Sequence, residues 1–289
     1  MTVSPAPSVA ALPGFRWGDR TLVMGVLNLT PDSFSDGGRF EAPDAALGQA
    51  RLLHRHGADL LDLGGQSTRP GASEIDAEAE IARVLPCLRR ILEVLPPPQA
   101  GGPLLSIDTF RAPVAEAALA AGAHWINDVS AGRRDPALLA VVAAADCPCV
   151  LMHSRGDSRT MDALASYGDV VAEVRQELLR ATDRALAAGV RPERILWDPG
   201  LGFAKTTAHN LTLLRGLAML RAEGFPLLVG PSRKRFIGEV LAESRPRARL
   251  WGTAAVCGQA IAAGADVLRV HDVGPIVQTA RMADALCRA

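Results

Sequence analysis

Tyrosine occurs once in the 289-residue sequence, beside only four Trp and seven Phe. So few aromatic rings disfavour a surface on which nucleic-acid bases stack. Neither sign of charge is in excess: Lys+Arg and Asp+Glu each number 31, for a formal net charge of zero. That argues against nucleic acid or an anionic membrane as partner, and leaves room for a local basic cluster that holds a phosphate. No apolar run reaches the roughly 20 residues that a membrane-spanning helix needs. The cysteines, Cys87, Cys147, Cys149, Cys257 and Cys287, are odd in number and form no CxxC pair. Neither a disulfide framework nor a zinc knuckle is indicated, and reduced, buried thiols in a cytoplasmic compartment are expected. HExxH, Gly-x-Ser-x-Gly and Walker patterns are all missing, which disfavours zinc proteases, serine hydrolases and P-loop enzymes. Residues 1–14 are rich in Ala, Pro and Ser, with no basic start and no apolar core. They read as a flexible N-terminal tail rather than a signal peptide.

What the sequence does have is hydrophobic residues, at 48%, and a repeating pattern. Short apolar runs at 22–28, 60–65, 104–108, 125–128, 150–153, 195–198, 227–230 and 267–271 each end in a polar or glycine-rich tip. Continuous apolar runs of this length suit strands buried on both faces of a parallel sheet. Between them lie stretches with helical spacing, such as 44–56, 163–188 and 208–223. Three joins repeat one device: Gly57-Ala58-Asp59, Gly122-Ala123-His124 and Gly264-Ala265-Asp266 put a glycine where a helix should stop. Eight alternating strand–helix units predict a single-domain α/β fold over residues 15–289, a closed (β/α)8 TIM barrel. An open doubly wound sheet is the alternative, and eight units favour closure.

In such a barrel the functional groups gather at the C-terminal ends of the strands. Those ends carry Asn28, Asp108, Asn127 with Asp128, His153, Asp198, Ser232 with Lys234, and Arg269 with His271. Any one of them would serve as a helix cap; polar tips on nearly every unit, converging on one mouth, make a site. The stretch from Asn28 to Gly38 is too long and too rich in structure breakers for a simple connection. Gly64 to Gly71 sets hydroxyls and a guanidinium between glycines, and Ser232-Arg233-Lys234-Arg235 precedes a helix start, where anions are favoured. Arg133-Arg134 reads as a solvated loop end, and His153 as structural rather than catalytic. An oxygen ligand such as Asn28 would suit Mg2+ shared with a diphosphate.

The segments MGVLNLTPDSFSDGG, DLGGQSTRPGA, SIDTF, INDVSAG, DPGLGFAKT, GPSRKRFIG and LRVHDV, spread over residues 24–273, resemble those of the dihydropteroate synthase family, in that family's order. One departure is Gln66, where the family commonly has Glu. The resemblance implies a transferase of folate biosynthesis that joins (7,8-dihydropterin-6-yl)methyl diphosphate to 4-aminobenzoate, releasing diphosphate through a pterin cation. It implies that Thr68, Asp108, Asn127, Asp198, Lys234, Arg269 and His271 hold the pterin diphosphate. Asp108, Lys234 and Arg269 would be catalytic, and Asn28 would hold Mg2+. Phe34, Arg69, Pro70 and Ser232 would hold 4-aminobenzoate. A homodimer formed by helices away from the mouth and inhibition by sulfonamides are implied as well. Two other readings are a pterin-binding methyltransferase acting on a corrinoid protein and a non-catalytic pterin-binding paralogue. The TPDSFSDGG and STRPG loops and the Ser-Arg-Lys cluster speak against the first, and the retained Asn28, Arg269 and His271 against the second.

Overall fold

The computed structural model describes residues 15–30, 42–66 and 74–288. Among these, the eight apolar runs form strands: β1 (Leu22–Asn28), β2 (Leu60–Gly64), β3 (Leu104–Asp108), β4 (Trp125–Asp128), β5 (Cys149–Met152), β6 (Ile195–Asp198), β7 (Leu228–Val229) and β8 (Val267–Val270). All pair in parallel, in the order β6-β5-β4-β3-β2-β1-β8-β7. A parallel bridge between Trp197 and Leu227 joins the two ends, so the sheet closes and the TIM barrel expected from the sequence is present. The tail expected at 1–14 lies outside the described residues.

The helices that surround the sheet are α1 (Ala42–Arg55), α2 (Ala77–Val94), α3 (Ala112–Ala120), α4 (Ala137–Ala145), α5 (Val170–Ala187), α6 (Thr207–Arg215), α7 (Leu217–Arg221), α8 (Arg235–Leu241), α9 (Leu250–Ala262) and α10 (Val273–Cys287). The three glycine joins behave as their repetition predicts. Gly57, Gly122 and Gly264 have φ of 94°, 106° and 93°, and the alanine after each donates its N–H to a carbonyl five residues back. This left-handed stop turns each chain directly into its strand.

Two helices differ from their sequence-based bounds. The stretch expected over 163–188 begins at Val170, because the Asp169 side chain caps there, accepting from the N–H groups of Val171 and Ala172. The stretch expected over 208–223 is broken at Gly216, where a Cβ would come within 2.6 Å of Val171. That close approach of α5 leaves room for glycine alone.

Alternation along the strands sorts the core into two bodies. Val23, Leu61, Leu105, Ile126, Leu151, Trp197, Val229 and Leu268 point outward into the layer beneath the helices. Leu22, Met24, Leu60, Leu104, Trp125, Val150, Leu196, Leu228 and Val267 point inward and fill the barrel at the N-terminal end of its strands, with Phe15 and Trp17 packed against them. Above this apolar plug the inward positions turn polar. Replacing fully buried Trp125 by Ala removes the largest side chain of the plug and is expected to cost about 3–5 kcal/mol. Urea denaturation of the variant checks this, and a loss below about 1 kcal/mol would show that the plug is not close-packed.

Candidate active site

One residue further along each inward-facing row, the strands present Asp62 and Gly64 from β2, Ser106 and Asp108 from β3, Asn127 from β4, Asp198 from β6, and Arg269 from β8. The register explains their level: Asp62 lies beside Ser106, Asp108 beside Gly64 and Asn127, and Met24 beside Arg269. Asp62, Asp108, Asn127 and Asp198 are all buried.

At the centre is Arg269. Its Nε donates to Asp62 Oδ2 at 2.6 Å and its Nη2 to Asp108 Oδ2 at 2.7 Å. Asn127 Nδ2 donates to the same Asp62 oxygen at 2.9 Å, so Asp62 aligns both the guanidinium and the amide. Burial opposes the charge on Arg269, but the two carboxylates outweigh it and its affinity for the proton rises. Asp108 is pushed up to about 7, chiefly by burial; Arg269 opposes the shift and the nearby Asp62 charge adds to it. One guanidinium between two ionised carboxylates leaves the cluster with one negative charge in excess, which adds to the effect of burial on Asp108.

Across the mouth, Asp198 is raised to about 6 by burial and accepts from Gly200 N at 2.7 Å. Lys234 is lowered to about 8, again by burial, with Arg269 adding to the effect. Its Nζ lies 4.2 Å from the centroid of the Phe203 ring, within cation–π range. The backbone between them needs its glycine: at Gly200, with φ of 66°, a Cβ would sit 1.8 Å from the His153 carbonyl oxygen.

Beside Arg269, Ser232 Oγ accepts from the His271 backbone N–H at 3.1 Å and lies 3.0 Å from His271 Nδ1. Burial, reinforced by Arg233 and Arg269, holds His271 down at about 3. His271 is therefore neutral here and contributes polarity, not charge. The basic cluster is correspondingly thinner than its sequence. Arg233 is bound bidentately by Asp272 at 2.6 and 2.9 Å, and exposed Arg235 pairs with Asp162 and Glu239. Lys234 alone of the three cations borders the mouth.

The structure thus brings together Asp108, Asn127, Asp198, Lys234 and Arg269, with Ser232 and His271 at one edge. Asn28 ends β1 half-buried, next to Gly64. Phe34, Thr68, Arg69 and Pro70 lie outside the described residues. Gln66, the departure from the family pattern, is buried, and its Oε1 accepts from Ile75 N at 2.9 Å where the chain re-enters after the second loop. Asp128 sits at a strand tip but belongs to the backbone, accepting from Ser130 N, Ser130 Oγ and Gly132 N. Arg133 and Arg134 are not simply solvated. Arg134 forms a bidentate pair with Glu74 at 2.6 and 2.8 Å above Phe110, and Arg133 donates to Ser154 Oγ at 2.5 Å. Arg134, Glu74, Phe110 and Ser154 border a cleft beside the mouth with Ser130 and Phe203.

Residues 24–271 match the family of pterin binding enzymes. Dihydropteroate synthase of Synechocystis sp. is 49% identical over 284 residues, which cover 98% of this chain and 96% of that protein. The chain belongs to the dihydropteroate synthase family. Two solved synthases share its fold closely. That of Clostridium difficile, solved in the presence of pteroic acid, superposes with a TM-score of 0.88 at 39% identity, covering 95% of this chain and all of the other. That of Xanthomonas albilineans with 4-aminobenzoic acid gives 0.85 at 44% identity, covering 93% of this chain and 94% of the other. Membership makes the chain a transferase of folate synthesis.

Asp62 is absent from the candidates read in the sequence. The signal that marks it is a lone carboxylate inside Leu60-Leu61-Asp62-Leu63, in step with inward-facing Leu60. A buried charge in a strand requires a partner. Lys205, inside the DPGLGFAKT segment, is a second such residue.

The raised Asp108 has a testable consequence for stability. A carboxyl whose folded-state value exceeds its unfolded one, about 3.9, favours the fold fully below that pH and loses the contribution as pH rises through about 7. Asp108→Asn has no such group. Its stability relative to the parent is expected to improve from pH 4 to about pH 7 and then level off in urea denaturation. A difference that stays flat, or that worsens with pH, would mean Asp108 is ionised throughout.

Proposed function

We propose that the polar mouth binds (7,8-dihydropterin-6-yl)methyl diphosphate and joins its methylene carbon to the amine of 4-aminobenzoate, giving 7,8-dihydropteroate and diphosphate. The observation that carries this reading is the Arg269 guanidinium fixed between Asp62 and Asp108 at the centre of a buried ring of donors and acceptors. A pterin is a planar ring with donors and acceptors along its edges, and such a ligand needs several fixed polar partners in a deep slot. Asp198 accepts from the ring's amino and N–H groups, Asn127 adds an amide, and Lys234 donates to the carbonyl edge. Arg269, planar and held from one side, is free to stack on the ring while a remaining N–H reaches the diphosphate.

Departure of diphosphate leaves positive charge spread into the ring. In our reading the Asp108 carboxylate lies near that charge and stabilises it, in surroundings where fixed charges act strongly. The developing cation favours the ionised form of Asp108, which a group titrating near neutrality already populates before the bond breaks. His271 and Arg269 receive the leaving diphosphate, the neutral imidazole as a hydrogen-bond partner. The amine then attacks, and its proton leaves after the new C–N bond forms. Ser232, Phe34, Arg69 and Pro70 make the place for 4-aminobenzoate, and Thr68 a further contact to the pterin diphosphate.

Mg2+ fits one part of this arrangement. Among the described residues no cluster of three or more His, Cys, Asp or Glu could hold a metal unaided. A cation that keeps several waters and takes its other oxygens from a diphosphate needs little more than the Asn28 amide oxygen at the end of β1. When bound it supplies charge that neutralises the leaving group. We also propose a homodimer, supported by large apolar side chains exposed on neighbouring helices: Trp251 of α9 at 79%, and Met282 and Leu286 of α10 at 61% and 73%. A cytoplasmic location is supported by four buried free cysteines, Cys87, Cys147, Cys149 and Cys257.

The test is incubation with both substrates and Mg2+, following diphosphate release and dihydropteroate by mass. Parent protein is expected to form product, and sulfonamides to compete with 4-aminobenzoate. Asp198→Ala, which strips the ring of its acceptor, is expected to weaken pterin binding by about 1–3 kcal/mol or more in calorimetry. No product from the parent, or unchanged pterin affinity in the variant, would contradict the reading.

A further inference from the structure

We propose that Lys205 is a positioning residue that sets the ring-binding groups Asp198 and Lys234 through the loop between β6 and α6. The proposal rests on the pterin reading above. Lys205 is only 3% exposed, yet it touches none of the groups proposed to hold substrate. Its Nζ donates to the carbonyl oxygens of Gly200 and Phe203, both at 3.0 Å, and lies 2.9 Å from His153 Nδ1. Burial pulls its proton affinity down to about 7, and the charged form has an acceptor for each of its three protons.

The acceptors form part of a wider brace. Burial holds His153 down at about 4, so its ring is neutral, and Nδ1 facing an ammonium must be the unprotonated nitrogen. Nε2 then carries the proton and faces Glu177 Oε2 at 3.0 Å. Glu177 Oε1 takes Arg155 Nε at 3.1 Å and Nη2 at 2.5 Å, and the Arg155 guanidinium lies 3.9 Å from the Tyr167 ring centroid. Tyr167 returns to the loop, donating its hydroxyl to the Ala204 carbonyl at 3.0 Å. Buried Asn210 fixes the loop from the other side, accepting from Gly202 N at 2.7 Å. The carbonyls of Gly200, Phe203 and Ala204 are therefore all held from below, in a segment whose residues 200, 202 and 204 have φ of 66°, 76° and 48°.

Two features of the mouth depend on where that segment lies. Gly200 N is the donor that orients Asp198 Oδ1. Gly202 and Phe203 form the surface on which Lys234 rests: a Cβ on Gly202 would come within 3.1 Å of Lys234 Cδ, and the Phe203 ring faces its ammonium. Release of the Lys205 clamp lets the Gly200 and Phe203 carbonyls turn, and both ring-binding groups move with them. Among the described residues, none of the clamp's hydrogen bonds reaches Asn28 or Asp108, so the second substrate and the chemical step should be affected far less.

The test uses the full chain, with calorimetric titration of the pterin diphosphate and steady-state kinetics in both substrates. Lys205→Met is expected to raise the pterin Kd and KM at least about tenfold, with kcat at saturating pterin and the 4-aminobenzoate KM within about threefold of the parent. Tyr167→Phe removes one carbonyl bond and no charge, and is expected to shift the pterin constants the same way by about two- to fivefold. A folded Lys205→Met with parental pterin Kd would overturn the proposal, as would a fall in kcat with both KM values unchanged. If Lys205→Met does not fold, parental pterin constants in Tyr167→Phe overturn it. A parent that binds no pterin contradicts the functional reading, whereas a parent that binds beside unaffected variants contradicts the clamp alone.

Discussion

Arg269 stands between Asp62 and Asp108, and the upper half of the barrel is organised around that one guanidinium. Three inward positions on β2, β3 and β8 carry charge into a space from which water is largely excluded. Removing the cation would leave two buried carboxylates facing each other, an arrangement that neutralises itself by taking up protons or opens to water. With the cation in place, Asp62 is held and Asn127 is aligned on it, while burial, against the pull of Arg269, leaves Asp108 with a proton affinity high enough to respond to charge in a ligand. The interaction is better suited to specifying an arrangement than to adding stability, since apolar side chains of the same volume would pack at less cost in desolvation.

Stability comes instead from below. The interior apolar cluster around Trp125 and Met24 closes the barrel at the N-terminal end of the strands, and the larger cluster under the helices closes it from outside. This leaves the C-terminal end free to carry the buried charges of the site and the tight loop of Gly200 and Gly202. Such features cost folding energy where they occur, and those of the site lie at the end that serves ligands. The β6–α6 loop is the sharpest case. Its carbonyls turn inward toward Lys205 and Tyr167, and its outer surface supports Lys234.

Most of this architecture was legible in the sequence because its causes are local. Eight apolar runs, three glycine stops and polar strand tips each reflect a nearest-neighbour constraint, and the strands lie within a few residues of the runs that announce them. The starts of α5 and the break at Gly216 were less legible, since they depend on a side-chain cap and on the approach of Val171 from another helix. Asp108, Asn127, Asp198, Lys234 and Arg269 were readable from motif resemblance and do converge. Asp62 and Lys205 were not, because what distinguishes them is burial beside partners distant in sequence, 207 positions for Asp62 and Arg269 and 52 for Lys205 and His153. For the same reason the Ser-Arg-Lys-Arg cluster looked more basic than it is: the partner of Arg233, Asp272, is 39 residues away.

The central claim is that one cation is shared by two carboxylates, so that Asp108 carries the unbalanced charge. Carbon-13 NMR of the Asp108 carboxyl, titrated in the parent and in Asp62→Asn, measures this directly. With Asp62 neutral, the guanidinium serves Asp108 alone, and its midpoint is expected to fall from about 7 toward the ordinary carboxylate range. The same midpoint in both proteins would contradict the account, because Asp108 would then be raised by burial without competition for Arg269.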